Sequence, residues 1–120
     1  MSTIIKPTVG RKVWYRPSHF DVQGPGGMQM AGSPDRPDLS QPLDATILAV
    51  WSDTCINVLV FDITGKPFTK MSTRLLQEGD AKPVDAAGKP VGGHVEWMPY
   101  QQGQAKKDAA IGPATAQAAA

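Results

Sequence analysis

A chain of 120 residues has room for one domain of ordinary size and too little for two. Its 12 basic and 11 acidic residues are interspersed and leave a net charge of +1, which argues against general nucleic-acid binding, a mode that needs a basic patch to neutralise phosphates. A single cysteine, Cys55, excludes an internal disulfide and a cysteine-rich zinc site, and no apolar run approaches the ~20 residues of a membrane-spanning helix.

The opening MSTIIKPTVG lacks the apolar core and small-residue cleavage site of a signal peptide, so synthesis in the cytoplasm is expected. With Pro7 and Gly10 as punctuation, residues 1–10 read as a flexible arm. RKVWYR follows, Arg11 to Arg16, with β-branched and aromatic residues that fit a first strand. Side chains alternate along a strand, so Val13 and Tyr15 face one way and Lys12, Trp14 and Arg16 the other. Pro17 ends it.

From Pro17 to Pro42 the chain has no sustained period, and its five prolines and four glycines resist both helix and central strand. Residues 17–42 therefore form a long loop. Met28 and Met30 read as incidental members of a mobile insertion; docking of both on an apolar surface is the alternative.

Leu43 to Leu76 carries the strongest pattern, three strands and two tight turns. Asp44–Trp51 places Ala45, Ile47, Ala49 and Trp51 on one face and Thr46, Leu48 and Val50 on the other. Ile56–Phe61 places Ile56, Val58 and Val60 opposite Asn57, Leu59 and Phe61. Both strands are apolar on both sides, whereas an open antiparallel sheet with one wet face should alternate. The sheet must curl into a small barrel, or be covered by a loop or another subunit. Ser52-Asp53-Thr54 and Asp62–Lys66 supply the turns. Pro67–Leu76 is more polar and reads as an edge strand.

Residues 78–93 form a second long loop, in which DAAGKPVGG can make a short hairpin. HVEWMPY, His94 to Tyr100, is the last strand, closing against the first. Residues 101–120 form a flexible Ala/Gln-rich tail; Gln101–Ala110 has helical character that Gly112-Pro113 would stop. The expected fold is all-β: residues 11–100 as one SH3-like or partly open barrel of about five antiparallel strands.

Catalytic signatures are missing. His19 and His94 have no metal-ligand spacing and read as surface or loop residues. Asp21 and Glu96 repeat the spacing of the histidines, yet nothing in that spacing requires a hydrolytic site. The glycine-rich Gln23–Gly27 lacks the lysine and hydroxyl of a P-loop, and Cys55 reads as a buried, inert thiol. No catalytic residue, metal or cofactor is expected. The aromatic clusters Trp14-Tyr15-Arg16 and Trp97–Gln101 are the candidates for binding, since Tyr and Trp combine large apolar area with a hydrogen-bonding handle. Trp14, Tyr15, Arg16, Trp97, Tyr100 and Gln101 form the expected binding set, against the plainer reading of the tryptophans as a barrel plug.

VWYRPS near the start, QPLDATILAVWSD and NVLVFD in the centre, then TRLLQEGD and EWMPYQQGQAKK resemble a group of small proteins encoded by tailed phages and prophages. The resemblance covers roughly residues 11–107, with poor agreement in the two loops. It implies a phage origin and a shared fold; no activity comes with it. Two non-enzymatic functions follow as expectations. One is a virion-associated accessory protein, of the decoration type, that binds another phage structural protein through its loops and tails. The other is a soluble binder of a host defence protein or signalling nucleotide, an oligomer with aromatic pockets between subunits. Either reading predicts a homo-oligomer without membrane or nucleic-acid partners, made in the host cytoplasm, with the virion as a further location.

Overall fold

The computed structural model describes residues 4–33 and 36–111, with side chains as far as Asp108. Five strands, β1 (Lys12–Arg16), β4 (Leu43–Ser52), β5 (Cys55–Phe61), β6 (Pro67–Leu76) and β7 (His94–Glu96), form a closed barrel in the order β1-β4-β5-β6-β7. The long loop contributes a separate two-stranded sheet of β2 (Gly32–Ser33) and β3 (Arg36–Pro37), and the chain ends in α1 (Pro99–Ile111).

The all-β barrel expected from the doubly apolar strands is present, with two differences. The barrel is closed rather than partly open, and one of its five pairings is parallel, β6 with β7. A parallel pair cannot be joined by a tight turn, so the connection 77–93 crosses over between them. It contains the expected short hairpin, as a Val84–Pro90 bridge around the Asp85–Lys89 turn. β6 is an edge only in part: it runs beside β5 from Pro67 to Arg74 and takes β7 on its other side from Arg74 to Leu76.

Alternation fixes the core. Val13 and Tyr15 from β1, Ala45 and Ile47 from β4, Ile56, Val58 and Val60 from β5, Leu75 from β6 and Val95 from β7 all point inward and are buried. Met28 and Met30 join them. They are not incidental, because the segment that carries them is tied down on both sides. Met28 N donates to Asp21 O at 2.8 Å, Gln29 N donates to Asp62 Oδ2 at 3.0 Å, and Ile63 N donates to Gln29 O at 3.2 Å. With Gln29 turned out, the methionines on either side of it turn in.

The described part of the expected flexible arm, residues 4–10, is also held. Gly10 N donates to Ile47 O at 2.8 Å, Pro7 is buried, and Ile5 bonds Gln77 through both its N–H and its carbonyl. Gln77 is the hub at this end of the barrel. Its Oε1 accepts from Ile5 N and Trp97 Nε1, and its Nε2 donates to Ile5 O and Asp53 O, all within 2.9–3.2 Å. A buried amide has four hydrogen-bonding positions, and here all four are used.

The last strand is shorter than HVEWMPY. The strand ends at Glu96, and a helix begins at Pro99 and runs through the Gln101–Ala110 segment whose helical character the sequence suggests; residues 112–120, the rest of the expected tail, lie outside the described residues. Pro99 occupies the first helical position, where its missing N–H costs nothing. Gln101 Oε1 accepts from Met98 N at 2.8 Å, half of a capping box, while its Nε2 donates to Lys12 O at 3.0 Å and clamps the helix start to β1.

Candidate functional site

The six residues singled out from the sequence do not converge. Tyr15 and Trp97 are 1 % and 2 % exposed and belong to the core. The Tyr15 hydroxyl donates to Asp21, whose carboxylate also accepts from Ser18 N and pairs with Lys70. Burial, with the Asp21 bond and charge added, pushes the Tyr15 phenol far above its ordinary range. Burial alone would raise the Asp21 carboxyl as well, but the bonds from Lys70, Tyr15 and Ser18 outweigh it and hold the group below its ordinary value. This cluster fastens the 18–21 turn to the barrel. Gln101 is the helix clamp described above, and Tyr100 is 70 % exposed on the first turn of α1.

Trp14 and Arg16 are the two that face outward together. The Arg16 guanidinium carbon lies 5.7 Å from the centre of the Trp14 ring. Its Nε donates to Glu96 Oε1 at 2.7 Å and one terminal nitrogen donates to Ser40 O at 2.6 Å, so Arg16 joins β1 to β7 and to the long loop. Cys55 is half-buried at the start of β5. His94, expected at the surface, is instead 6 % exposed in β7, while His19 is exposed in the 18–21 turn. Among the described residues no three of His, Cys, Asp and Glu converge on a metal position, and no helix is long and apolar enough to cross a membrane.

The surface that stands out lies where the sequence pattern fails. β4 and β5 pair in step from Asp44 to Ile47; then Leu48 falls between the pairs Ile47–Val58 and Ala49–Asn57, and Trp51 between Val50–Ile56 and Ser52–Cys55. Each is the extra residue of a β-bulge, which re-aims side chains and bends the strand. A third irregularity sets Met71 and Ser72 of β6 against Asn57 alone, with Ser72 at a φ of 47°. Leu48, Val50, Trp51 and Met71 all end up exposed, Trp51 at 62 % and Met71 at 66 %.

Buried Asn57 organises this end. Its Oδ1 accepts from Trp51 Nε1 at 2.9 Å and from Ser72 N at 2.8 Å, which holds the indole beside the β6 bulge. On the side away from β5, the backbone bonds of β4 reach only to Ile47, which pairs with Gly10 and Arg11; residues 48–52 have β5 as their sole strand partner among the described residues. The result is a fixed aromatic ring among exposed aliphatic side chains on a strand end with one neighbour. The bulges and the bonds that Asn57 makes leave no signal in the sequence, whose plain alternation puts Trp51 on the same face as Ala45 and Ile47.

No family model, no curated protein and no solved structure matches this chain.

Proposed function

We propose that the protein is a non-enzymatic, phage-encoded accessory protein that docks on a particle protein and on copies of itself through the bulged ends of β4 and β6. The observation that supports this reading is the exposed set of Leu48, Val50, Trp51 and Met71, with Trp51 anchored on Asn57. Exposed apolar groups gathered around a held aromatic ring have the composition of an interface core. Bulges discourage strand-to-strand pairing at an edge, so the contact is made by side chains rather than by continuing the sheet. The phage assignment rests on the resemblance of the VWYRPS, NVLVFD and EWMPYQ segments.

Two measurements test the two parts. Light scattering at about 50 µM should give a dimer or larger species, and a clean monomer would overturn self-association at that affinity. Quantitative mass spectrometry of purified virions of the encoding phage should find the chain at a fixed ratio to the major capsid protein. Absence from particles, with abundance in infected cells, would reject the particle reading in favour of a host-directed binder.

A further inference from the structure

We propose that the cavity between Leu39–Ser40, the strap 82–92 and β7 is a binding site for a small organic anion with a compact apolar body. The site is separate from the bulged end and shares no residue with it. Its volume of about 410 Å³ lies in the range of small-molecule pockets. Pro17, Leu39, Pro83, Pro90 and Val91 supply apolar wall, and the polar groups are few: Arg16, Ser40, Lys82, His94 and Glu96.

The walls are fastened. Arg16 holds Ser40 O, and Gly93 N donates to Arg16 O at 2.6 Å. Gly92 lies so close to Pro17 that an added Cβ would stand 1.9 Å from its carbonyl oxygen, so only glycine permits the strap to sit there. A cavity bounded this way is preformed.

Two features give the ligand its chemistry. The first is charge. Glu96 is matched by Arg16, whereas Lys82 has no ion-pair partner among the described residues, so the uncompensated charge at the cavity is positive. The second is His94, which is 6 % exposed and has no hydrogen-bond partner on either ring nitrogen. Buried polar atoms are nearly always paired, and a filler in this wall needs no nitrogen. Both ring nitrogens are closed off by the surrounding protein, so an anion in the cavity acts on the imidazole through its charge rather than by a hydrogen bond.

The protonation of His94 reports on occupancy. Burial holds it below its ordinary value; Glu96 opposes this, and Arg16, Lys82 and Arg74 add to it. With its pKa below the ordinary 6.5, the ring is neutral at neutral pH until an anion is added. An anion beside it stabilises the imidazolium and raises the pKa.

The experiment is an NMR titration of the histidine ring resonances in the full chain, with His19→Gln to assign His94, using benzoate, acetate and inorganic phosphate as probes. Benzoate should bind saturably and raise the His94 pKa by about one unit, with acetate and phosphate weaker by about tenfold. Lys82→Ala, at an exposed position, should weaken benzoate by about tenfold, while Lys89→Ala, on the same strap outside the cavity, should change it less than about twofold. Unmoved His94 resonances up to about 20 mM benzoate would overturn the proposal. So would equal responses to all three anions, which would mark a charge effect without a pocket, or an unchanged benzoate affinity in Lys82→Ala.

Discussion

The two halves of β4 carry similar residues and reach opposite environments. In Leu43–Ile47, strict alternation meets a neighbour on each side, β1 and β5, and Leu43, Ala45 and Ile47 are 3 %, 0 % and 0 % exposed. In Leu48–Ser52, two bulges break the alternation, one neighbour is present, and Leu48, Val50 and Trp51 are 42 %, 38 % and 62 % exposed. Hydrophobicity alone does not bury a side chain. Neighbouring strands and unbroken register do, and the half without them is left exposed.

The sharpest test of this contrast compares aromatic residues. Trp97→Ala removes a core ring and one of the four hydrogen bonds of the Gln77 amide, and should cost about 4 kcal/mol by chemical denaturation. Tyr100→Ala, at an exposed position, should stay within about 0.5 kcal/mol. Equal effects would mean that the core has been misplaced. Within β4 the comparison is closer: Ile47→Ala should cost about 3 kcal/mol and Leu48→Ala less than about 0.5 kcal/mol, one position away. If the adjacent substitutions cost the same, the first bulge is not where the pairing places it.

Much of the well-paired half was legible in the sequence. The period-two pattern of β1, β5 and the start of β4 sorts their residues onto two faces without naming the inward one, so that buried Tyr15 reads as a binding residue, and apolar character on both faces requires closure or cover. The bulged half was not legible, because one extra residue leaves no mark in composition and reverses every later face. Leu48 and Trp51 became extra residues only through the pairing of β5 with its neighbours. Polar hubs are hidden for a related reason. Gln77 holds Ile5, 72 positions away, and nothing about a glutamine in TRLLQEGD names that partner. The helix start is different: Pro99 and Gln101 have the form of a first-position proline and a capping glutamine, yet HVEWMPY taken by itself has the pattern of a strand throughout.

Asn57 joins the halves, and its removal gives an intermediate effect. Asn57→Ala deletes the acceptor for both Trp51 Nε1 and Ser72 N, which should cost about 2 kcal/mol and broaden the NMR signals of the Trp51 indole. A full loss of stability with an unchanged indole signal would separate Asn57 from the positioning of Trp51. Asp62 makes the corresponding test at the β5–β6 turn. Burial alone would raise its pKa, but bonds from Thr64, Gln29 and Lys66 outweigh this and lower it to about 2. The folded state therefore binds this proton less readily than the unfolded chain. The stabilisation is complete above the ordinary value of 3.8 and is lost as the pH falls from there through about 2. Asp62→Asn should be less stable at neutral pH and should show a flatter loss over that acid range; parallel acid profiles would remove Asp62 as its source.

A small effect on stability carries the most weight for function. Trp51→Ser exchanges an exposed ring for a residue that tolerates the same backbone, so the free energy of unfolding should fall by only about 1 kcal/mol, the worth of the lost bond to Asn57. If the ring is the anchor of the docking surface, self-association should nevertheless weaken by about tenfold or more, since buried aromatic anchors dominate interface energies. Val50→Lys on the same strand should act in the same direction, because a lysine there must be desolvated on contact. Sedimentation across a concentration series reads both. A variant with wild-type stability and wild-type association would show that the exposed half of β4 is simply an unpaired strand end, and that any partner is held elsewhere on the barrel.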